Sequence, residues 1–400
     1  MNYKYAIIFV LTILSISLTG CFLFPPVPNI PEWTVMVYLA ADNDLESVGI
    51  NDINEMEMVG SSSNVKIVVQ ADRIPGYDIS NSDWTNTRRY YITQDSDPMQ
   101  INSQLIGSDL GELNMGDPET LIDFASWATT SYPAKKYLLV IWNHGGGFRS
   151  PAYTTKDIAW DDTSGGDRIT MPELEDALSA ISAQMGKNID IVGMDACLMA
   201  MTEVAYQIKD HANILVASEE NEPGDGWPYD TILAQLAANP TMSSKQLAVD
   251  IVNKYIYSYP SNEVTHSAID LSYMDTLSSQ VSDLAETIMS DTLTPKDVYI
   301  NTAYSSQYYG DPDFIDLCDF CNKIFYYSNN LEVKTIALIV QQTLLNFTVI
   351  NSGCNGWSVS NSKGLSIYFP WYYAYNSNKY NSTNFARDTF WDEMLLSLGL

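Results

Sequence analysis

The chain has 400 residues, enough for two domains or for one domain with an elaborate periphery. Hydrophobic residues make up 46% of it, ample for a large core, while 49 acidic against 20 basic residues give a net charge of −29. So acidic a surface argues against nucleic acid as a partner, because phosphate contacts need clustered Lys and Arg. It suits a protein outside the cytoplasm, keeps it soluble, and attracts cationic peptides or Ca²⁺.

The N-terminus reads as a targeting segment over residues 1–21. Lys4 supplies a positive start, Ala6 to Leu18 is apolar, and Leu18-Thr19-Gly20-Cys21 follows. The apolar run is short for a membrane-spanning helix. Leu-Thr-Gly-Cys resembles a bacterial lipoprotein processing site, which implies that Cys21 becomes the lipidated first residue of the mature chain. Several acyl chains on one residue give a stable anchor where one would not. The alternative is an ordinary cleaved signal peptide. Residues 22–32 carry four prolines among apolar residues and read as a stiffened tether.

Trp33 to Leu39 is a buried strand by its apolar, β-branched content. Asn43 or Asp44 then caps an acid-rich helix that runs to about Met58. Val65 to Gln70 is a second strand, and Thr87 to Thr93 a third among polar loops. Asp117-Pro118-Glu119 starts a helix: a cap, a proline in the first turn, an acid at the positive end of the dipole. Tyr137 to Trp142 is a strand that ends in Asn143-His144-Gly145-Gly146-Gly147. A polar loop spans 150–169, and Thr170-Met-Pro-Glu173 is a capping box for a helix stopped by Gly186.

Asp190-Ile-Val-Gly-Met-Asp-Ala-Cys-Leu-Met199 comes next. It reads as a strand that breaks at Gly193, then a turn, then a helical pattern in Leu198, Met201, Val204, Ala205 and Ile208. This places Cys197 at the carboxyl end of a strand and near a helix N-terminus, where free N–H groups lower a thiol pKa. Strand Ile214 to Ala217 and the loop Ser218 to Tyr229 complete this half. Strands alternating with helices predict an α/β/α sandwich on a mostly parallel sheet, the core spanning 33–235. Residues 236–400 read as a mainly helical subdomain with added strands at Ser267–Leu271 and Gly364–Phe369. Ligands in such sheets bind beyond the carboxyl ends of strands, so His144, Cys197 and the 218–229 loop belong on one edge.

With three histidines in the chain, histidine-dependent chemistry has few candidates. His211 beside Asp210 caps a helix end, and His266 leads into a strand without special neighbours. His144 differs, because three successive glycines cost backbone entropy unless something approaches the backbone closely. A cysteine nucleophile needs a base, oxyanion donors and a selecting pocket. His144, the Gly145 amide with the Cys197 amide, and Asp195 meet these needs in turn. Asp195 lies two residues before Cys197, so its side chain points to the same side of an extended strand. A carboxylate at a pocket floor selects Arg or Lys; as an alternative, Asp195 caps the following turn. Cys318 and Cys321, spaced i, i+3 in a helical pattern, read as core residues, with a disulfide or metal pair open outside the cytoplasm. Cys354 receives no role.

These stretches resemble the clostripain family of cysteine peptidases, relatives of caspases, legumains and gingipains. The matching segments are Met36 to Leu45, Lys66 to Arg73, Asn114 to Leu121, Tyr137 to Gly147, Asp161 to Gly165, Met194 to Met199 and Gly224 to Tyr229. His-Gly followed about fifty residues later by Asp-Ala-Cys is the specific element, and caspases show a similar spacing. The resemblance implies a caspase-like fold and a Cys–His dyad: Cys197 as nucleophile, His144 as base, Gly145 lining the oxyanion hole, and Asp195 at the floor of the S1 pocket. It implies cleavage after Arg or Lys, no cofactor for the chemistry itself, Ca²⁺ dependence in some members, and self-cleavage after the histidine, for which Lys156 and Arg168 are the candidates. Phe148 stands where many relatives have Trp.

The expected partners are proteins or peptides with basic residues, with a membrane reached only through the lipid anchor, and the expected states are a monomer or a self-cleaved two-chain form. Two other readings share parts of the pattern. An esterase uses His-Gly-Gly-Gly but needs G-x-S-x-G, and Gly193-Met-Asp-Ala-Cys197 lacks the serine. A peptide-binding lipoprotein on a peptidase fold needs no chemistry, yet this chain retains both Cys197 and His144.

Overall fold

Trp33–Ala41 forms strand β1, and all nine of its residues are buried. Its side chains alternate between two cores, as the twofold period of a strand requires. Met36, Tyr38 and Ala40 face the larger core, where helix Pro118–Ser131 packs against β1 and which also takes in Met171–Met185 and Met274–Ser290. Val35, Val37, Leu39 and Ala41 face a second core on the other side, shared with Glu46–Val59, Tyr229–Ala238 and Ser244–Ser258. A strand covered on both sides has no need of polar residues, which is why this segment reads as a continuous apolar run.

The other strands, in a computed structural model that describes residues 30–148, 157–371, 375 and 377–400, are β2 (Val65–Arg73), β3 (Arg88–Tyr91), β4 (Gln104–Leu105), β5 (Lys136–Trp142), β6 (Ile158–Asp161), β7 (Asp167–Ile169), β8 (Ile191–Asp195), β9 (Ile214–Ala217), β10 (Val264–Asp270), β11 (Phe314–Asp316), β12 (Val349–Asn355) and β13 (Ser366–Tyr368). The targeting segment with Cys21, most of the tether, and Lys156 lie outside the described residues. Nine strands make one sheet in the order β12-β10-β9-β8-β5-β1-β2-β3-β4. The five central strands, β9, β8, β5, β1 and β2, run parallel, and both edges are antiparallel. β6 and β7 form a hairpin within the segment expected to be a polar loop.

Parallel strands deliver their carboxyl ends to one edge. β1 ends before Asp42, β5 before Asn143, β8 before Ala196 and β9 before Ser218. The capping box at Thr170 and Glu173 forms, and Gly186 closes that helix in the left-handed region at φ 67°. Asp117 caps its helix through the Glu119 amide.

Two expectations are corrected. Gly193 does not break the strand, for β8 runs through it to Asp195. Glycine stands there because a Cβ would lie 2.6 Å from the Trp227 ring and 3.4 Å from Val140. β12 was not anticipated: Val349-Ile-Asn-Ser-Gly-Cys-Asn355 lacks alternation, and only its pairing with β10 makes it a strand.

The close approach at Gly193 gives a stability test. Gly193→Val forces the Trp227 indole out of its seat and should lower unfolding stability by about 2–3 kcal/mol, read as a fall in the urea midpoint at constant slope. An unchanged midpoint would mean that the indole is not seated against β8.

Candidate active site

Cys197 follows the end of β8, in an irregular turn. Leu198 takes φ 63°, a conformation a branched residue adopts only under surrounding constraint. The helix that follows is Thr202–Ile208, so it begins well after the cysteine. The expected helix N-terminus at the thiol is therefore absent, and another backbone donor stands in its place. The Glu222 amide donates to Cys197 Sγ at 3.3 Å. The loop carrying Glu222 is tied to this turn by Leu198 N to Glu220 O at 3.2 Å and Ala200 N to Ser218 O at 2.8 Å.

His144 extends from the end of β5. Its Nε2 lies 2.7 Å from Asp44 Oδ1, a residue brought in from the end of β1. Asn43 or Asp44 was expected to cap the following helix, but that helix starts after Leu45 with no side-chain cap; Asn43 Oδ1 accepts from the Leu45 amide at 3.0 Å, and the Asp44 carboxylate faces the imidazole. The glycines after His144 answer to sterics. A Cβ on Gly145 would lie 2.3 Å from the Cys197 carbonyl oxygen and 3.0 Å from its nitrogen. One on Gly147, at φ 62°, would lie 2.3 Å from Met201 Sδ. Only bare backbone lets the two loops meet. Asn143 fixes the base of its loop by donating to Ala40 O at 2.6 Å and Trp160 O at 2.7 Å.

Between these loops is a cavity of about 210 Å³ lined by His144, Asp195, Cys197, Glu222 and Gly226 among others. Larger clefts lie at Tyr308 and Trp357, about 480 Å³, and between Pro228 and Asn355, about 930 Å³, but neither holds a thiol or an imidazole.

The floor of the cavity is acidic. Asp195 is buried, and its Oδ2 accepts from Tyr229 Oη at 2.8 Å and from the Trp227 amide at 3.2 Å. Burial pushes its carboxyl up to about 6 against the pull of these hydrogen bonds. Glu222 is buried beside it, and burial together with the Asp195 charge holds its pKa well above the ordinary range. Two adjacent carboxyls share a proton, and Glu222, the more strongly raised of the two, is the one that carries it. Asp52 lies behind them, accepting from Trp142 Nε1 at 2.6 Å, and is raised by burial and then by Asp195. Among the described residues no Lys or Arg is paired with any of the three.

His266 was expected to have no special neighbours. It lies in β10 against Tyr255 and Trp227, with Nε2 3.9 Å from Glu222 Oε1, and burial holds it neutral with a pKa of about 3. His211 lies at Ser182, 3.4 Å from its hydroxyl, away from the cavity. Arg168 is on β7, paired with Asp157 at 3.0 Å and stacked over Trp160. Cys318 and Cys321 are buried and free, and burial raises both thiols, Cys318 to about 12. Cys354 is free on β12. The structure thus gathers His144, Gly145, Asp195 and Cys197. It adds Asp44 and Glu222, neither of which the sequence marks.

A thiol and an imidazole on adjoining strand ends of such a sheet define the class of cysteine peptidases with a caspase-like fold. The clostripain family profile matches residues 37–397. Clostripain of Hathewaya histolytica is 28% identical over 411 residues, covering 88% of this chain and 76% of that protein. A secreted cysteine protease from Bacteroides thetaiotaomicron, solved with an irreversible peptide inhibitor, superposes with a TM-score of 0.66 at 21% identity over 91% of this chain and 99% of that one. An inactive zymogen protease from Parabacteroides distasonis gives a TM-score of 0.67 at 20% identity over 92% and 99%. The chain belongs to the clostripain family and is a cysteine endopeptidase.

The buried Asp195 carboxyl has a consequence for stability. Its pKa rises from 3.8 to about 6 in the fold, so the folded state holds the proton more tightly than the unfolded chain does. The carboxyl therefore costs stability as pH climbs through that window, and the cost is complete above it. Asp195→Asn, which keeps an oxygen for Tyr229 and Trp227, should stabilise the protein at pH 8 by on the order of 2 kcal/mol, with the gain vanishing by about pH 4. Thermal unfolding of both proteins across pH checks this; an equal Tm at pH 8 would contradict it.

Proposed function

We propose that the chain hydrolyses peptide bonds after Arg or Lys through a Cys197–His144 dyad, outside the cytoplasm. The observation that carries this reading is the single cavity walled by a thiol, an imidazole and two uncompensated buried carboxyls. His144 takes the Cys197 thiol proton, the thiolate attacks the scissile carbonyl carbon, and the oxyanion is held by the Gly145 and Cys197 amides. Collapse breaks the C–N bond as His144 gives a proton to the leaving amine. Water, deprotonated by His144, then hydrolyses the thioester and frees the thiol. Asp44 keeps the imidazole ring in place. A P1 guanidinium or ammonium entering the cavity favours ionised Asp195 and Glu222 and displaces their shared proton, so the cation replaces the proton that makes the empty pocket tolerable.

In this reading residues 33–235 carry the chemistry and 236–400 support it. A signal segment over residues 1–21 with a lipid anchor at Cys21 would support action outside the cytoplasm. Cleavage at Lys156 or Arg168 would yield the two-chain form, Lys156 first, because Arg168 is held by Asp157. Ca²⁺ takes no part in bond making or breaking.

Protein lacking residues 1–21 should release fluorophore from peptides with Arg or Lys at P1 and not from those with Asp or Leu, and Cys197→Ala should abolish this. Failure of the folded protein to cut any of them, intact or nicked near Lys156, would point to a peptide-binding lipoprotein. Asp195→Asn should lower kcat/KM for basic peptides by about a hundredfold, on the order of 3 kcal/mol. The wild-type kcat/KM for basic P1 should also decline as pH falls through about 6, where Asp195 regains its proton. Wild-type rates in the variant would remove Asp195 from the pocket. Asp44 is 63% exposed, so its bond to His144 is worth under about 1 kcal/mol. Asp44→Ala should therefore reduce kcat only about threefold to fivefold with KM unchanged, measured by steady-state kinetics.

A further inference from the structure

The cleft at Tyr308 and Trp357 adjoins the loop that carries Glu222. It measures about 480 Å³, and Glu220, Tyr308, Tyr309, Gly310 and Trp357 line it together with several serines. Glu220 lies two residues before Glu222, so the two stand no more than about 7 Å apart. The Glu222 amide meets Cys197 Sγ at 3.3 Å. A substrate extended from the thiol, advancing about 3.3 Å per residue, reaches this cleft within about four residues.

Its walls are braced by side chains from both sides. Gln307 Nε2 donates to Tyr308 O at 2.8 Å and to Ser358 O at 2.7 Å, and Gln307 Oε1 accepts from the Asn361 amide at 3.3 Å. The Tyr309 hydroxyl anchors the back wall, 2.8 Å from Glu219 Oε1 and 3.1 Å from Ser362 Oγ. The Gly310 amide donates to Glu220 Oε1 at 2.9 Å, and a Cβ on Gly310 would collide with the Asn221 side chain. The cleft is thus fastened to the same 218–222 loop that lines the catalytic cavity.

Three groups in it are left without the partner that their kind finds elsewhere in the chain. Trp357 is 89% exposed and Tyr308 55% exposed. Other tryptophans are covered by cations: Arg73 and Arg88 lie over Trp84, Arg89 over Trp127 and Arg168 over Trp160. Among the described residues no Lys or Arg lies over Trp357 or Tyr308, and none pairs with Glu220. Glu220 Oε1 accepts from the Asn221 and Gly310 amides, while its Oε2 makes no hydrogen bond among the described residues and is not buried. Burial, with the Glu263 charge added to it, pushes the Glu220 carboxyl above the ordinary range, so an arriving cation would favour its ionised form. Aromatic faces beside a carboxylate are the groups that hold a guanidinium or an ammonium.

We propose that this cleft is a second substrate subsite, taking an Arg or Lys side chain about two to four residues from the scissile bond. It rests on the proposed cleavage after Arg or Lys and extends the recognised element from one basic residue to two. Trp357 and Tyr308 stack on the side chain, and Glu220 pairs with its charge. The substrate class is then a peptide segment with clustered basic residues, which the net charge of −29 draws in. Recognition is divided along the chain. The floor under P1 comes from the 33–235 core, and the two rings come from 236–400, which gives that part a share in selecting substrate.

The full chain in mild detergent is given quenched fluorogenic peptides with Arg at P1 and Arg, Ala, Phe or Glu at one further position, taken in turn over P2–P4 and P2′–P4′. Mass spectrometry locates each cut. At one of these positions Arg should raise kcat/KM about tenfold over Ala, and Glu should lower it. Trp357→Ala and Glu220→Gln should each bring the Arg-to-Ala ratio below about threefold. Glu220→Gln keeps an oxygen for the Asn221 and Gly310 amides, and a ratio taken within one protein does not depend on the folded fraction. Equal rates for Arg and Ala at every position, or a ratio that survives in either variant, would overturn the subsite. A preference for Phe over Arg would overturn the choice of a cation. If no peptide is cut, the proposed reaction fails, and the Kd ratio of the same peptides for the Cys197→Ala protein decides the subsite by the same criterion.

Discussion

The approach of Gly145 to the Cys197 carbonyl is the contact on which the site depends. At 2.3 Å from a would-be Cβ to that oxygen, no other residue fits. The contact is possible because β5 and β8 are parallel neighbours with Trp142 paired to Asp195, so both chains leave the sheet at the same height. Asn143 and Asn43 then pin the departing chains to Ala40 and Trp160. The His144 and Cys197 loops are thus set by sheet register and backbone contact, while the side-chain bond from Asp44 is exposed and weak. Geometry held this way tolerates change at the surface and does not tolerate a methyl group at Gly145.

The floor of the cavity is arranged in the opposite manner, through groups left uncomfortable. Asp195 accepts from the Trp227 amide and the Tyr229 hydroxyl and shares a proton with Glu222, and among the described residues neither carboxyl is met by a Lys or Arg. A compensating lysine from the protein itself would have made the pocket more stable and useless for a basic substrate. The same logic explains His266. A neutral imidazole wedged between Tyr255 and Trp227 supports the floor without bringing a positive charge to it. On the proposed reading, stability is given up where a substrate cation enters, a trade common to binding sites.

Much of this was legible in the sequence, and the exceptions have physical causes. β1, β5 and β8 announced themselves because strands buried on both faces need continuous apolar residues, and the caps at Asp117 and Thr170 because capping is local chemistry. His144, Gly145, Asp195 and Cys197 followed from strand ends. The late start of helix Thr202–Ile208 did not, since helical periodicity persists through Leu198 while its φ of 63° depends on bonds to the 218–222 loop. Asp44 and Glu222 were hidden for the same reason: their partners are far away in sequence, and a single acid in an acid-rich chain carries no signal of its own. Gly193 was misread because its reason, the Trp227 ring, comes from another loop.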